Sequence, residues 1–369
     1  MTASVKSIVG LLAASLGAAG LIAALNFVVD PLQLFRSAAF YPALYAADSR
    51  LQNAGLIRSQ GFDTVFMGTS LAVHFRQSDI DKLLGVHSVK LSMSGGSSVE
   101  QAFVLDAAMR RHPRRVIWEM DDWIFFDGPG VDANIYLPAD LYRMNAKGVM
   151  GYLLSLETAR ESFWILLRLL KGVETFAHFL AGLQYLKFYN GEVDEINTLP
   201  PYVDLSASYN VTKVREALAR YRSSPMSVGY DYDAMVRNFE SNAFELIKNN
   251  PEVQFQVYFP PYPIVRLAAM RELAPETLMT IYRFSAYATA RLLSLSNVSV
   301  SDFRVVADVT HDLNNYADLG HHSPTVDLKV LSWLAAGKYR LEAAAPEASL
   351  DVLKKQVEAY RFEGVGPPR

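Results

Sequence analysis

Cysteine is absent from the 369-residue chain, which excludes disulfides, thiolate nucleophiles and cysteine-ligated metals. That absence suits cytoplasm and periplasm alike. A basic excess is missing too: 35 Lys and Arg stand against 38 Asp and Glu, a formal charge of -3, so no global positive field draws nucleic acid to the chain. Nucleic acid is set aside as a partner. No internal repeat is visible, and beyond residue 30 no second run reads as a membrane span. What the chain has in quantity is apolar surface: 51% of residues are hydrophobic and 12% aromatic, rich for a soluble protein and a pointer to membrane contact or a large apolar interface. Its length is enough for one large domain with insertions or for two smaller ones.

Some of that apolarity lies at the start. From Ser7 to Val29 there is no charged side chain between Lys6 and Asp30, and roughly 20 such residues match a bilayer-spanning helix. A cleaved signal has a shorter apolar core of about 7 to 15 residues and a defined cleavage site; here small residues run throughout. Residues 1–30 therefore read as an uncleaved membrane anchor. Lys6 and the terminal amine precede the span and Asp30, Arg36 and Arg50 follow it, a weak positive-inside bias. With one span, the expected arrangement is a single pass of the inner (cytoplasmic) membrane, N-terminus inside, the bulk of the chain periplasmic or otherwise extracytoplasmic. Asp30-Pro31 should end the helix, because proline disfavours the helical conformation of the residue before it.

Residues 31–61 read as a membrane-proximal connector, 62–340 as an α/β domain, and 341–369 as a polar, mobile tail that is helix-like in part. Within 62–340, strand and helix signals alternate as in a parallel sheet. Five strands are expected at Thr64–Met67, Ser88–Ser92, Arg115–Met120, Val253–Phe259 and Val298–Phe303, with helices near 99–110, 232–249, 275–293 and 325–336. The alternation fails between 127 and 231, which reads as a mostly helical insertion. Gly151–Tyr185 looks like one long helix, basic, amphipathic and aromatic-rich, that could lie on a membrane, close over a pocket or pack on its own core. Thr198–Tyr209 looks like loop.

The chemistry gathers at strand ends. Thr64-Val65-Phe66-Met67 stops abruptly on Gly68-Thr69-Ser70, which places Ser70 at a strand-to-helix junction, either as a helix cap or as an exposed hydroxyl. After the last strand comes Asp318-Leu319-Gly320-His321-His322. Parallel sheets place ligands at the carboxyl ends of their strands, so the two segments can meet there. A serine nucleophile needs a base, and that base needs a third group to hold its tautomer; His321 and Asp318 are of the right types for those tasks. His322 should point away from His321, and His74 reads as a structural or groove residue. A metal site from His311, Asp318 and His321 fits no common ligand spacing, so no metal or cofactor is expected.

Gly68-Thr69-Ser70-Leu71 resembles the Gly-Asp-Ser-Leu nucleophile block of SGNH (GDSL) hydrolases, and Asp318-Leu319-Gly320-His321 resembles their late Asp-x-x-His block. The resemblance implies a flavodoxin-like three-layer sandwich of about five parallel strands, with Ser70, His321 and Asp318 as the catalytic triad. It also implies an oxyanion or substrate-binding role for Gly95 and Gly96, which sit where the family has its second glycine block. Thr69 replaces the usual aspartate. No Gly-x-Asn-Asp block follows the third strand; Asp121 and Asp122 stand there instead, positioned to contact substrate or to pair with Arg114 or Arg115. A carboxylate donates no hydrogen bond to an oxyanion unless it is protonated, so that hole would rest on backbone N–H groups.

With its anchor, the chain is most similar to the extracytoplasmic branch that includes alginate O-acetylation proteins and the D-alanyl transfer protein of teichoic acids. The expected function is a membrane-anchored acyltransferase acting on a surface polysaccharide or acylated glycan, with a membrane-bound O-acyltransferase as a possible partner and the membrane held through residues 7–29. Alternatives are an esterase or deacetylase of the same fold, a non-catalytic scaffold that binds polymer or that membrane partner, and a lipase-like enzyme using the Phe163–Leu170 face.

Overall fold

In a computed structural model that describes residues 3–41, 44–46, 49–126, 137–169, 188–190, 208–223 and 230–362, the five expected strands form one sheet. Its strands are β1 (Thr64–Met67), β2 (Ser88–Lys90), β3 (Arg115–Glu119), β4 (Gln254–Phe259) and β5 (Val298–Asp302). The order is β2-β1-β3-β4-β5 with every neighbouring pair parallel. β1 is buried at all four positions, as expected where helices cover both faces of a sheet. On one face Phe66, Ile117 and Tyr258 pack with Ile80, Val326 and Val330. On the other, Trp118 Nε1 donates to Gln101 Oε1 at 2.7 Å, from the helix Ser98–Met109. The connection from β1 leads to one side and that into β3 to the other, and this switch leaves a crevice beyond the carboxyl ends of β1 and β3.

The chain divides into two compact units, Phe62–Ile135 with Val193–Arg369, and Met1–Gly61 with Tyr136–Glu192. The sheet belongs to the larger. So does the segment expected to be a mobile tail: Ala348–Ala359 is a helix whose Leu350, Leu353 and Val357 are buried against Ile264, Leu267 and Met270. Apolar side chains at i, i+3 and i+7 give this polar segment a packing stripe. The last seven residues, 363–369, lie outside the described set.

In the smaller unit, Ser4–Val29 is long and apolar enough to cross a membrane. It ends at the expected place, with Asp30 in the left-handed region (φ 51°). The Asp30 carboxylate then accepts from the N–H groups of Leu34, Phe35 and Arg36 at 2.8–3.1 Å, fixing the exit turn. Residues 31–61 are more than a connector: Ser49–Ser59 is a helix with Gln52, Ala54, Leu56 and Ile57 buried. The long helix expected over Gly151–Tyr185 is instead two, Ala146–Leu154 and Leu156–Leu169. Ser155 breaks them in extended conformation and accepts from Thr158 N at 3.1 Å, capping the second. Residues 170–185 and 198–207 of the expected helix and loop lie outside the described residues. Leu44–Ala46 pairs antiparallel with Phe188–Asn190.

Candidate active site

The turn after β1 is tight. A Cβ added at Gly68 would stand 2.6 Å from Ala72 Cβ and 2.6 Å from Glu119 Oε2, closer than any real contact, so the position requires glycine. Thr69, not Ser70, is the helix cap: its Oγ1 accepts from Leu71 N at 3.3 Å. Ser70 is consequently the first residue of the short helix Ser70–Val73, with its hydroxyl outside the capping bonds and its backbone N–H among those a helix start leaves without an intrahelical partner.

That hydroxyl meets a base. His321 Nε2 lies 2.9 Å from Ser70 Oγ, and His321 Nδ1 lies 2.8 Å from Asp318 Oδ2. The carboxylate accepts a hydrogen bond from Nδ1–H and so keeps the proton on that nitrogen, which leaves Nε2 as the acceptor facing the serine. Asp318 is itself braced, its Oδ1 accepting from Gly320 N at 2.7 Å and His321 N at 2.8 Å. Burial works to raise the Asp318 carboxyl, but the His321 ring and these two N–H groups outweigh it and hold the group down at about 2. It is an anion at any working pH. The loop is clipped at its neck, where Ala317 N donates to His321 O and Ser323 N to Asn315 O, and Tyr316 Oη donates to the Pro261 carbonyl at 2.7 Å. Side-chain exposures of 37% for His321 and 39% for Asp318 leave the triad open to solvent.

Two histidines flank the base. His322 is buried, its ring edge-on to Phe75 and its Nδ1 2.9 Å from Asp327 Oδ1. His74 stands edge-on to His321 with ring centroids 6.3 Å apart. Burial, with the nearby His322, His321 and Lys90, pushes His74 down to about 3, so it is neutral and no competing base. It lines a surface pocket with Arg76, Asp79 and Thr325.

Sequence reasoning missed the support beneath the serine. Glu119 Oε2, at the end of β3, accepts from both Thr69 N (2.8 Å) and Thr69 Oγ1 (2.9 Å), while Oε1 is buried without a hydrogen-bond partner. Burial pushes the Glu119 carboxyl up to about 7, against the two Thr69 bonds that favour its anion. Lys90, ending β2, is buried and donates from Nζ to the carbonyls of Val73 (2.9 Å) and Phe75 (2.8 Å), satisfying the far end of the serine helix. The available signal was a charged residue at the end of a short strand, Lys90 in β2 and Glu119 in β3.

The secondary candidates fall less simply. Gly95 occupies the left-handed corner (φ 64°) of a turn in which Gly96 N donates to Met93 O at 3.0 Å; Gly96 N–H thus already has an acceptor within its own turn. Asp121 is buried and its Oδ2 accepts from Tyr262 Oη, with Arg266 stacked 3.9 Å over the Tyr262 ring. Arg114 and Arg115 are not its hydrogen-bond partners. Burial, then the charges of Asp122 and Glu119, raise the Asp121 carboxyl well above the usual range, which favours a protonated acid. Asp122 is half-buried and opens the 3-10 turn Asp122–Phe125. Among the described residues no cluster of His, Asp and Glu is arranged to hold a metal ion. No family model matches the chain, and no curated protein matches it.

Proposed function

We propose that the chain is a serine-dependent acyltransferase of the SGNH type, anchored in the inner membrane with its larger unit outside the cytoplasm, acting on a surface polysaccharide. The observation that carries the reading is His321 bridging Ser70 and Asp318 at 2.9 and 2.8 Å. In the first half-reaction the Ser70 hydroxyl proton passes to His321 Nε2 as Oγ attacks the carbonyl carbon of an acyl donor. The Ser70 backbone N–H stands at the developing oxyanion. Collapse breaks the bond to the leaving oxygen, which takes the proton from His321, and leaves an acyl-Ser70 ester. In the second, His321 removes the proton of a sugar hydroxyl, whose oxygen attacks the acyl carbon, and the proton returns to Ser70 Oγ. Water in place of the sugar makes the same site an esterase. The open triad suits a bulky hydroxylated acceptor, the pocket beside it offers Arg76, Asp79 and Thr325 as hydrogen-bonding groups next to the apolar Pro324, Leu328 and Leu331, and the apolar helix Ser4–Val29 suits work beside a membrane.

Ser70→Ala tests the reading directly. Acyl content of the surface polymer and hydrolysis of a small acetyl ester should both fall by at least about 10³-fold with the protein still expressed. If both persist in that variant, the chain is a scaffold and not an enzyme.

A further inference from the structure

Asn26 is a fully buried amide inside the apolar helix Ala3–Val29. Its Nδ2 donates to the carbonyls of Leu153 (2.9 Å) and Ser155 (3.0 Å), and its Oδ1 accepts from Ser162 Oγ at 3.1 Å. The corner between the helices Ala146–Leu154 and Leu156–Leu169 is therefore pinned level with Asn26. That is three residues short of the end of the apolar helix, about 4.5 Å along its axis at 1.5 Å per residue.

The second of these helices buries Trp164 and Ile165 on its core side, but Thr158, Glu161 and Ser162 are buried with them, while Leu156 is 67% and Phe163 52% exposed. Leu156 and Phe163 are seven residues apart, two turns along one face, and a helix face bathed in water is ordinarily polar. Leu154, at the corner, is also exposed, as are Phe27 and Val28 in the last turn of the span, so apolar side chains are exposed on both sides of the Asn26 bonds, at the level of the end of the span.

We infer that this helical corner is a second membrane contact, lying in the headgroup region of the bilayer with Leu154, Leu156 and Phe163 in lipid. It rests on the anchor reading of Ser4–Val29. The depth agrees with what such helices do, seating an apolar face about 5–10 Å into the boundary between headgroups and acyl chains. The bilayer is the occupant that already surrounds the span at that level, and no separate partner is needed to cover the face. The span then acts as part of a membrane-seated module instead of a tether.

The cysteine-free chain allows single nitroxide labels to be read in the full-length protein reconstituted in phosphatidylcholine–phosphatidylglycerol vesicles. Leu156→Cys and Phe163→Cys are compared with Leu16→Cys in the span and Asp106→Cys on an exposed polar site. Labels at 156 and 163 should collide with dissolved oxygen severalfold more readily than with a nickel chelate, as at 16, with the reverse at 106. Nickel access at 156 and 163 equal to that at 106, with 16 still in lipid, overturns the inference and leaves the anchor intact. Low access to both reagents at 156 and 163 puts a second copy of the chain there and also overturns it. An aqueous label at 16 overturns the anchor reading itself.

Discussion

Glu119 sets how firmly Ser70 is presented, because its one paired oxygen accepts from both donors of Thr69, directly before Ser70. Its folded pKa of about 7 stands above the ~4.3 of a free glutamate, so the folded chain binds this proton more tightly than the unfolded one. Stability from this group is therefore complete below about pH 4 and declines as pH rises through about 7. Between pH 5 and 8 the loss is on the order of 2–3 kcal/mol. Glu119→Gln keeps an acceptor for Thr69 and cannot ionise, at a cost of about 1–3 kcal/mol for an amide N–H left buried where Oε1 has no partner. Thermal unfolding of both proteins in detergent should then show the variant gaining on the wild type as pH is raised from 5 to 8. A Tm difference that stays constant across that range would mean that Glu119 is already ionised in the fold at pH 5.

At the scale of elements, the C-terminal helix carries the clearest energetic consequence. Leu353 is buried among Ile264, Leu267 and Met270, whereas its neighbour Val352 is exposed. Leu353→Ala should cost roughly 2–5 kcal/mol through lost burial and a residual cavity, and Val352→Ala less than about 0.5 kcal/mol; Tm values for the two variants check the contrast. Equal effects would return residues 348–359 to a loosely held tail. This helix also shows where reading the sequence stops. The five strands were legible from short β-branched and aromatic stretches, unbroken in Thr64–Met67 and alternating in Val298–Asp302, that recur between helical signals, and Ser70 stood out as a polar group just past the first of them, with Asp318 and His321 in the segment that follows the last. Helix 348–359 has only four large apolar positions in a charged segment, and the stripe that Leu350, Leu353 and Val357 form without Val352 acquires meaning once Leu267 and Met270 lie opposite. The break at Ser155 was hidden for the converse reason: Leu154 and Leu156 continue the apolar pattern across it, and the serine reads as an ordinary helix residue until its hydroxyl is seen capping Thr158. Glu119, Lys90 and the Gly96 turn were equally illegible, since a strand-end charge or a glycine pair does not say which backbone group it will meet.

At the scale of the whole molecule, the proposed chemistry requires the triad and the polymer on the same side of the membrane, and the apolar helix Ser4–Val29 ahead of the larger unit makes this a question of orientation. Lys6 lies in the first turn of the apolar helix, ahead of its uncharged stretch, and Asp106 lies in the larger unit, both exposed. Because the chain has no cysteine, Lys6→Cys and Asp106→Cys each provide a single reporter that leaves the triad untouched. A membrane-impermeant maleimide applied to intact spheroplasts should label residue 106 at once and residue 6 only after the membrane is opened. The weak charge bias around the span, Lys6 before and Arg36 after, makes this measurement decisive where charge counting is not. Labelling at 6 before lysis and at 106 only after it would place Ser70 and His321 in the cytoplasm, out of reach of any surface polysaccharide, and the acceptor would then have to be a cytoplasmic hydroxyl compound or water.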